Sequence, residues 1–171
     1  MSIMNADEHM TCICVCDEEE VRFGACLKAK DCKQYTPLMT ALAAANQKCV
    51  SDILNSIAAT DTLEDILTAR DANENTIYHI CAEFNNIESL KFLFQRHYLN
   101  DLVFCKNNSE DTILHCAIRN GNLEMVKLIL NQLVEYNTST EAILFSRNKL
   151  GQTCFHVGAQ MVIILLHSDQ R

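Results

Sequence analysis

Thr112-Ile113-Leu114-His115-Cys116-Ala117, continued by Arg119-Asn120-Gly121-Asn122-Leu123-Glu124-Met125-Val126-Lys127-Leu128-Ile129-Leu130, reads as one helix–turn–helix unit. Thr112 is placed to open a first helix, because a threonine hydroxyl accepts from the N–H groups that a helix start leaves free. Leu114, Ala117 and Ile118 give that helix an apolar face, and the small Ala117 lets a neighbour approach closely. Gly121 stands where the chain must adopt a left-handed conformation to reverse direction. Leu123, Val126, Ile129 and Leu130 then recur at helical spacing and predict a second helix.

The unit recurs along the chain. Thr36-Pro37-Leu38-Met39-Thr40-Ala41, Thr76-Ile77-Tyr78-His79-Ile80-Cys81-Ala82 and Thr153-Cys154-Phe155-His156-Val157-Gly158-Ala159 align with it, and the four threonines are 40, 36 and 41 residues apart. A second pattern keeps the same register. An apolar pair, then a basic residue and then Asp or Asn precede each threonine: Cys26-Leu27 with Lys30-Asp31, Ile66-Leu67 with Arg70-Asp71, Leu102-Val103 with Lys106-Asn107, and Ile143-Leu144 with Arg147-Asn148. Asn85 takes the position of Gly121 in the second unit, and asparagine is the next most tolerant residue for a left-handed turn.

These motifs resemble the ankyrin repeat, whose period is about 33 residues with a T-P-L-H-x-A signature. The resemblance implies an all-α fold: an ankyrin-repeat solenoid of about four helix–turn–helix repeats, starting near residues 31, 71, 107 and 148, with hairpin loops and atypical capping repeats. The domain is expected over residues 17–171 behind a flexible segment 1–16, with a helix over 17–30 covering the first repeat. The residues in excess of the standard period fall before the second, third and fourth loops. Two of these insertions, near 61–67 and 138–144, predict short capped helices. Met39 replaces the signature histidine in the first unit, and Val162 stands at the turn position of the last, so the final outer helix is expected to be missing or fused with the inner one. A glycine two residues before the threonine occurs only as Gly151; Gln34, Glu74 and Glu110 hold the other loop tips.

Composition agrees with a helical stack. One proline and four glycines in 171 residues leave little material for a turn-rich β fold. A formal charge of −8 and a pI near 5.1 oppose binding to nucleic acid or an anionic membrane, which clustered Lys and Arg would serve. No basic flank and apolar stretch marks the N-terminus as a secretory signal, so the ten cysteines are expected to be reduced, in an intracellular protein. The apolar run from Met161 to Leu166 is too short to span a bilayer.

Three sets of residues are candidates for chemistry. His79, His115 and His156 are potential ligands or bases; their place in the resembled signature implies a structural role, with the imidazole bonded to Thr76, Thr112 and Thr153 and to nearby backbone. Cys12, Cys14 and Cys16 form a C-x-C-x-C cluster, but zinc sites favour C-x2-C spacing, and the alternation suits an extended segment. Glu74, Glu110 and Asp111 at loop tips, with Glu83 on an inner helix, are candidates for an acidic partner-binding stripe. Asp17 to Glu20 fit a solvated helix start. Phe92, Phe94, Tyr98 and Phe104 are expected in packing between repeats. No G-x-x-x-x-G-K, G-x-S-x-G or H-E-x-x-H motif occurs, so neither an enzymatic activity nor a cofactor is expected.

In repeat spacing and in its insertions the chain is similar to the ankyrin domain of inhibitor-of-NF-κB (IκB) proteins, and it looks like the small viral ankyrin proteins, vankyrins, of the polydnaviruses of parasitic wasps. Arg70-Asp71-Ala72-Asn73-Glu74-Asn75-Thr76-Ile77-Tyr78-His79-Ile80-Cys81-Ala82 and Asp111-Thr112-Ile113-Leu114-His115-Cys116-Ala117 carry the likeness, which extends over about residues 17 to 167. It implies an IκB mimic that binds a Rel/NF-κB transcription factor through its Rel-homology domain in the host cytoplasm, or also the nucleus, and suppresses immune signalling. No D-S-G-x-x-S degradation signal or acidic, proline-rich tail is found, which gives an expectation of constitutive inhibition. The alternative is an ankyrin adaptor for another host protein, such as a ubiquitin-ligase or apoptosis component.

Overall fold

The computed structural model describes residues 26–58, 61–96, 100–135 and 140–168. The elements, in order, are α1 (Pro37–Ala43), α2 (Gln47–Ile57), α3 (Leu63–Thr68), α4 (Ile77–Glu83), α5 (Ile87–Gln95), a 3-10 turn (Asn100–Phe104), α6 (Ile113–Arg119), α7 (Leu123–Glu135), α8 (Thr140–Leu144) and α9 (Cys154–Ser168). No strand occurs among the described residues. Residues 1–25, with Cys12, Cys14, Cys16 and most of the expected N-terminal helix, lie outside them; residues 26–28 are helical.

Three antiparallel helix pairs, α1–α2, α4–α5 and α6–α7, are built by the same local chemistry. Thr36, Thr76 and Thr112 hold extended backbone at the N-caps of α1, α4 and α6. The side chains of Asn46, Asn86 and Asn122 open the outer helices by accepting from the N–H groups of Cys49, Ser89 and Met125. Between the helices of each pair the chain turns through a left-handed residue: Ala45 at φ 52°, Asn85 at 57° and Gly121 at 67°. Val162 occupies the fourth such position, and no left-handed break occurs there; α9 runs through it as one helix. The last unit is therefore fused. A β-branched residue is among the least tolerant of a left-handed turn, so the helix continues.

Stacking buries the seams between units. The inner helices α1, α4, α6 and α9 touch in chain order, and the outer helices α2, α5 and α7 do the same. Leu38, Met39 and Leu42 of the first unit, Ile77, Tyr78 and Ile80 of the second, and Ile113 and Leu114 of the third are essentially inaccessible. Each such side chain contributes about 1.5–3 kcal/mol of transfer free energy. Phe94 stacks on Tyr78 with ring centroids 5.5 Å apart, while Phe92 and Phe104 are half-buried and Tyr98 lies outside the described residues. Cys81, Cys116 and Cys154 are buried among these apolar groups, and that burial raises all three thiol pKa values, Cys116 to about 12. All seven described cysteines are free thiols.

Two of the insertions form short helices, α3 and α8, as anticipated, although the N-cap residue of α3, Thr62, makes no side-chain capping bond; the third forms the 3-10 turn. Ile66, Leu67, Val103 and Ile143 from these segments join the core, so the insertions close the stack beneath each loop. No described helix is long and apolar enough to cross a membrane.

Candidate functional site

Four five-residue fingers, 31–35, 71–75, 107–111 and 148–152, project ahead of the inner helices. Asp or Asn at the first position of each accounts for one of the two sequence patterns. Asp31 Oδ1 accepts from the N–H groups of Lys33 and Tyr35, both at 2.8 Å, and Asp71 Oδ1 accepts from Asn73 at 2.8 Å and Asn75 at 2.7 Å. Asn107 and Asn148 repeat the arrangement at 2.9–3.0 Å. A backbone bond closes each finger, as from the Glu74 N–H to the Asp71 carbonyl. The residue before the last then takes positive φ: Gln34 at 62°, Glu74 at 60°, Glu110 at 57° and Gly151 at 72°.

The basic residue ahead of each of the first three fingers bridges to the next unit. Lys30 donates to the Arg70 carbonyl at 2.7 Å, Arg70 to the Lys106 carbonyl at 3.2 Å, and Lys106 to the Arg147 carbonyl at 2.7 Å. The fingers are further tied by backbone bonds from Ala72 N–H to the Lys33 carbonyl, Asn108 to Asn73, and Lys149 to Ser109. The period of basic residues was visible in the sequence, but nothing there indicated that each reaches a carbonyl one repeat away.

The histidines complete the stitching. The Thr76 N–H donates to His79 Nδ1 at 3.3 Å, and the Thr76 hydroxyl lies 2.9 Å from the same nitrogen. Nδ1 therefore carries no proton, and Nε2–H donates to the Asp111 carbonyl at 3.0 Å in the next finger. His115 repeats this with Thr112 and reaches the Gln152 carbonyl at 3.1 Å. Both imidazoles have lowered pKa values, first through burial, opposed by the carbonyl that each Nε2 faces. His156 accepts from Thr153 in the same way but is exposed. Thr36 caps α1 by accepting from the Met39 N–H. No three His, Cys, Asp or Glu side chains converge on a metal-sized site among the described residues.

The acidic residues divide into two kinds. Glu74 and Glu110 are exposed at finger tips, each 3.8 Å from its own finger's cation, Arg70 or Lys106. Glu83 is exposed at the end of α4; partial desolvation and then the Asp71 charge raise its carboxyl pKa, while Arg119 and Lys33 act in the opposite sense. Tyr35 is nearby, its pKa raised to about 12 by burial and by Glu83, Asp71 and Asp31. Asp111 is different from the exposed tip residue expected of it. It is 3% exposed. Its carboxylate receives Arg119 Nη2 at 2.8 Å and Asn148 Nδ2 at 3.0 Å, so it joins two repeats from within. Its position beside the tip in sequence hid this, because the finger reverses between Glu110 and Asp111.

Fingers and inner helices thus form one continuous surface on which the exposed carboxylates of Glu74, Glu83 and Glu110 lie among exposed cations such as Lys33, Lys106 and Arg119, the architecture of a repeat-solenoid scaffold for protein–protein interaction. The sequence matches the family model for ankyrin repeats (three copies) over residues 56–141 and 79–170. The chain belongs to the ankyrin-repeat family, and its scaffold is one that binds protein partners. Comparison with curated proteins gives no match.

Proposed function

We propose that this protein is an IκB-like inhibitor, of the viral vankyrin kind, that holds a Rel/NF-κB transcription factor through its Rel-homology domain and so suppresses immune signalling in the host cytoplasm. The observation that carries the proposal is the run of exposed carboxylates Glu74, Glu83 and Glu110 along the second and third repeats, on a surface preorganised by the finger ladder. A basic segment, such as the nuclear-localisation sequence of a Rel-homology domain, complements it. The net charge of −8 adds long-range attraction to such a segment. The likeness of the repeats and insertions to IκB proteins supplies the identity of the partner.

Binding kinetics against purified Rel-homology domains at low and high salt test the reading. Wild type associates with a rate that falls as salt rises. The variant Glu74→Lys/Glu83→Lys/Glu110→Lys associates at least about tenfold more slowly at low salt, with a flatter salt dependence. It keeps its fold, because the local pairs it breaks are exposed and contribute about 0–1 kcal/mol each. Asp111 stays unaltered, since a lysine there would be buried against Arg119. Absence of any binding by wild type rejects the Rel reading; equal binding by the variant moves the contact elsewhere on the stack.

A further inference from the structure

The first unit differs from the other three at one hydroxyl. In the second, third and fourth units the threonine hydroxyl meets a histidine Nδ1, at 2.9, 2.9 and 2.8 Å. Met39 stands in place of that histidine in the first unit. Thr36 Oγ1 accepts from the Met39 N–H at 3.3 Å, but its own proton meets no acceptor among the described residues. Thr36 is 1% exposed, and a buried donor left without an acceptor is uncommon in a folded chain.

Thr36 lines a cleft of about 300 Å³, together with Lys28, Lys30, Asp65, Ile66 and Ala69. The cleft lies between the segment that leads into the first finger and α3. Its charges do not balance. Lys28 Nζ pairs with Asp65 Oδ2 at 2.6 Å. Lys30 Nζ donates to the Arg70 carbonyl at 2.7 Å and has no carboxylate partner among the described residues. Two ammoniums and one carboxylate therefore leave one positive charge on the lining. An ammonium has three protons to donate, so each lysine keeps donors that these bonds do not use. Ile66 and Ala69 add an apolar wall.

We infer that this cleft is a binding site for a carboxylate on a short apolar stem. The carboxylate takes the Thr36 proton and N–H bonds from Lys30 and Lys28, and the stem lies along Ile66 and Ala69. Its single negative charge neutralises the positive charge that the Lys28–Asp65 pair leaves over. A phosphate dianion fits less well, because it sets a second negative charge beside Asp65 and leaves the apolar wall bare. None of Glu74, Glu83 and Glu110 lines the cleft, so the site does not depend on the Rel reading.

Titration of the isotope-labelled full chain with sodium butyrate at constant ionic strength, followed by amide chemical shifts, tests the inference. Wild type shows saturable shifts at Thr36, Ile66 and Ala69, with a dissociation constant on the order of 1 mM. Butyramide, which has the shape without the charge, gives none, and inorganic phosphate binds at least about tenfold more weakly. Met39→His supplies the acceptor present in the other units and takes up the Thr36 proton. It weakens butyrate binding at least about tenfold, with helical content and melting temperature retained. Lys30→Gln weakens it to a similar degree. Asp65→Asn frees Lys28 and tightens binding at least about threefold, a gain that a damaged fold does not produce. A free short-chain acid and a glutamate side chain both carry the required group. The end-capped peptide Gly-Glu-Gly is titrated beside butyrate, and the tighter ligand identifies the source. Absence of saturable shifts in wild type, phosphate that binds as tightly as butyrate, or undiminished binding by Met39→His overturns the inference.

Discussion

The signature histidine acts through the position of one proton. At His79 and His115 the threonine's N–H and hydroxyl both point at Nδ1, so the single proton of the neutral ring sits on Nε2, where it binds the next finger. A second proton would have to enter at Nδ1 against two donors, in a site with 0% exposure. The unfolded chain takes that proton with an ordinary pKa near 6.5. Because the folded pKa is lowered, the unfolded state binds more protons as pH drops below about 6.5, and stability is lost in that direction and kept above it. Thermal melts should show a falling midpoint on acidification, and His115→Gln should flatten the slope by up to about 1.4 kcal/mol per pH unit. At neutral pH, His115→Ala is expected to cost about 1–3 kcal/mol, since it strands the buried Thr112 N–H and leaves the Gln152 carbonyl with only the Asn148 N–H of its own finger. His156→Ala, at an exposed site where Nε2 meets no carbonyl among the described residues, should cost less than about 1 kcal/mol. Equal losses at the two positions would show that stitching between repeats is not what the histidine contributes.

At the scale of the element, the fingers show what the sequence could and could not reveal. The threonine register, the helix pairs and two of the three insertions follow from apolar spacing and capping residues, because these are properties of local chain segments. Val162 at the turn position left the final outer helix either missing or fused with the inner one, and the structure shows the fused helix α9. The left-handed tips were legible only at Gly151; Gln34, Glu74 and Glu110 adopt the same conformation at 57–62° because the aspartate or asparagine that opens each finger and the bonds to its neighbours impose it. A non-glycine residue there carries a strain of about 1 kcal/mol. Glu110→Gly is therefore expected to raise stability by up to about 1 kcal/mol, and Gly151→Ala to lower it by a similar amount although its side has open space. Denaturant titration decides both; a neutral Gly151→Ala would show that the last finger relaxes out of the conformation. Asp111 was misplaced at the surface for a related reason. Whether a finger residue faces solvent or the next repeat depends on the reversal of the chain, which spacing alone does not encode.

At the scale of the whole molecule, the side chains divide between a stitched interior and an exposed face of fingers and inner helices. The carboxylate of Asp111, His79, His115 and the basic residues before the first three fingers serve the seams, while Glu74, Glu83 and Glu110 are exposed and are the carboxylates proposed to meet a partner. The same rigidity that aligns these carboxylates lowers the ordering cost of binding. The proposed Rel-homology partner should therefore contact the fingers and inner helices, with the outer helices α2, α5 and α7 left free. Amide hydrogen exchange of the chain, alone and saturated with a purified Rel-homology domain, tests this most directly. Slowed exchange is expected in fingers 71–75 and 107–111 and at the exposed ends of α4 and α6, with α5 and α7 unchanged. Protection confined to the outer helices, or no protection at any concentration of the domain, would contradict it.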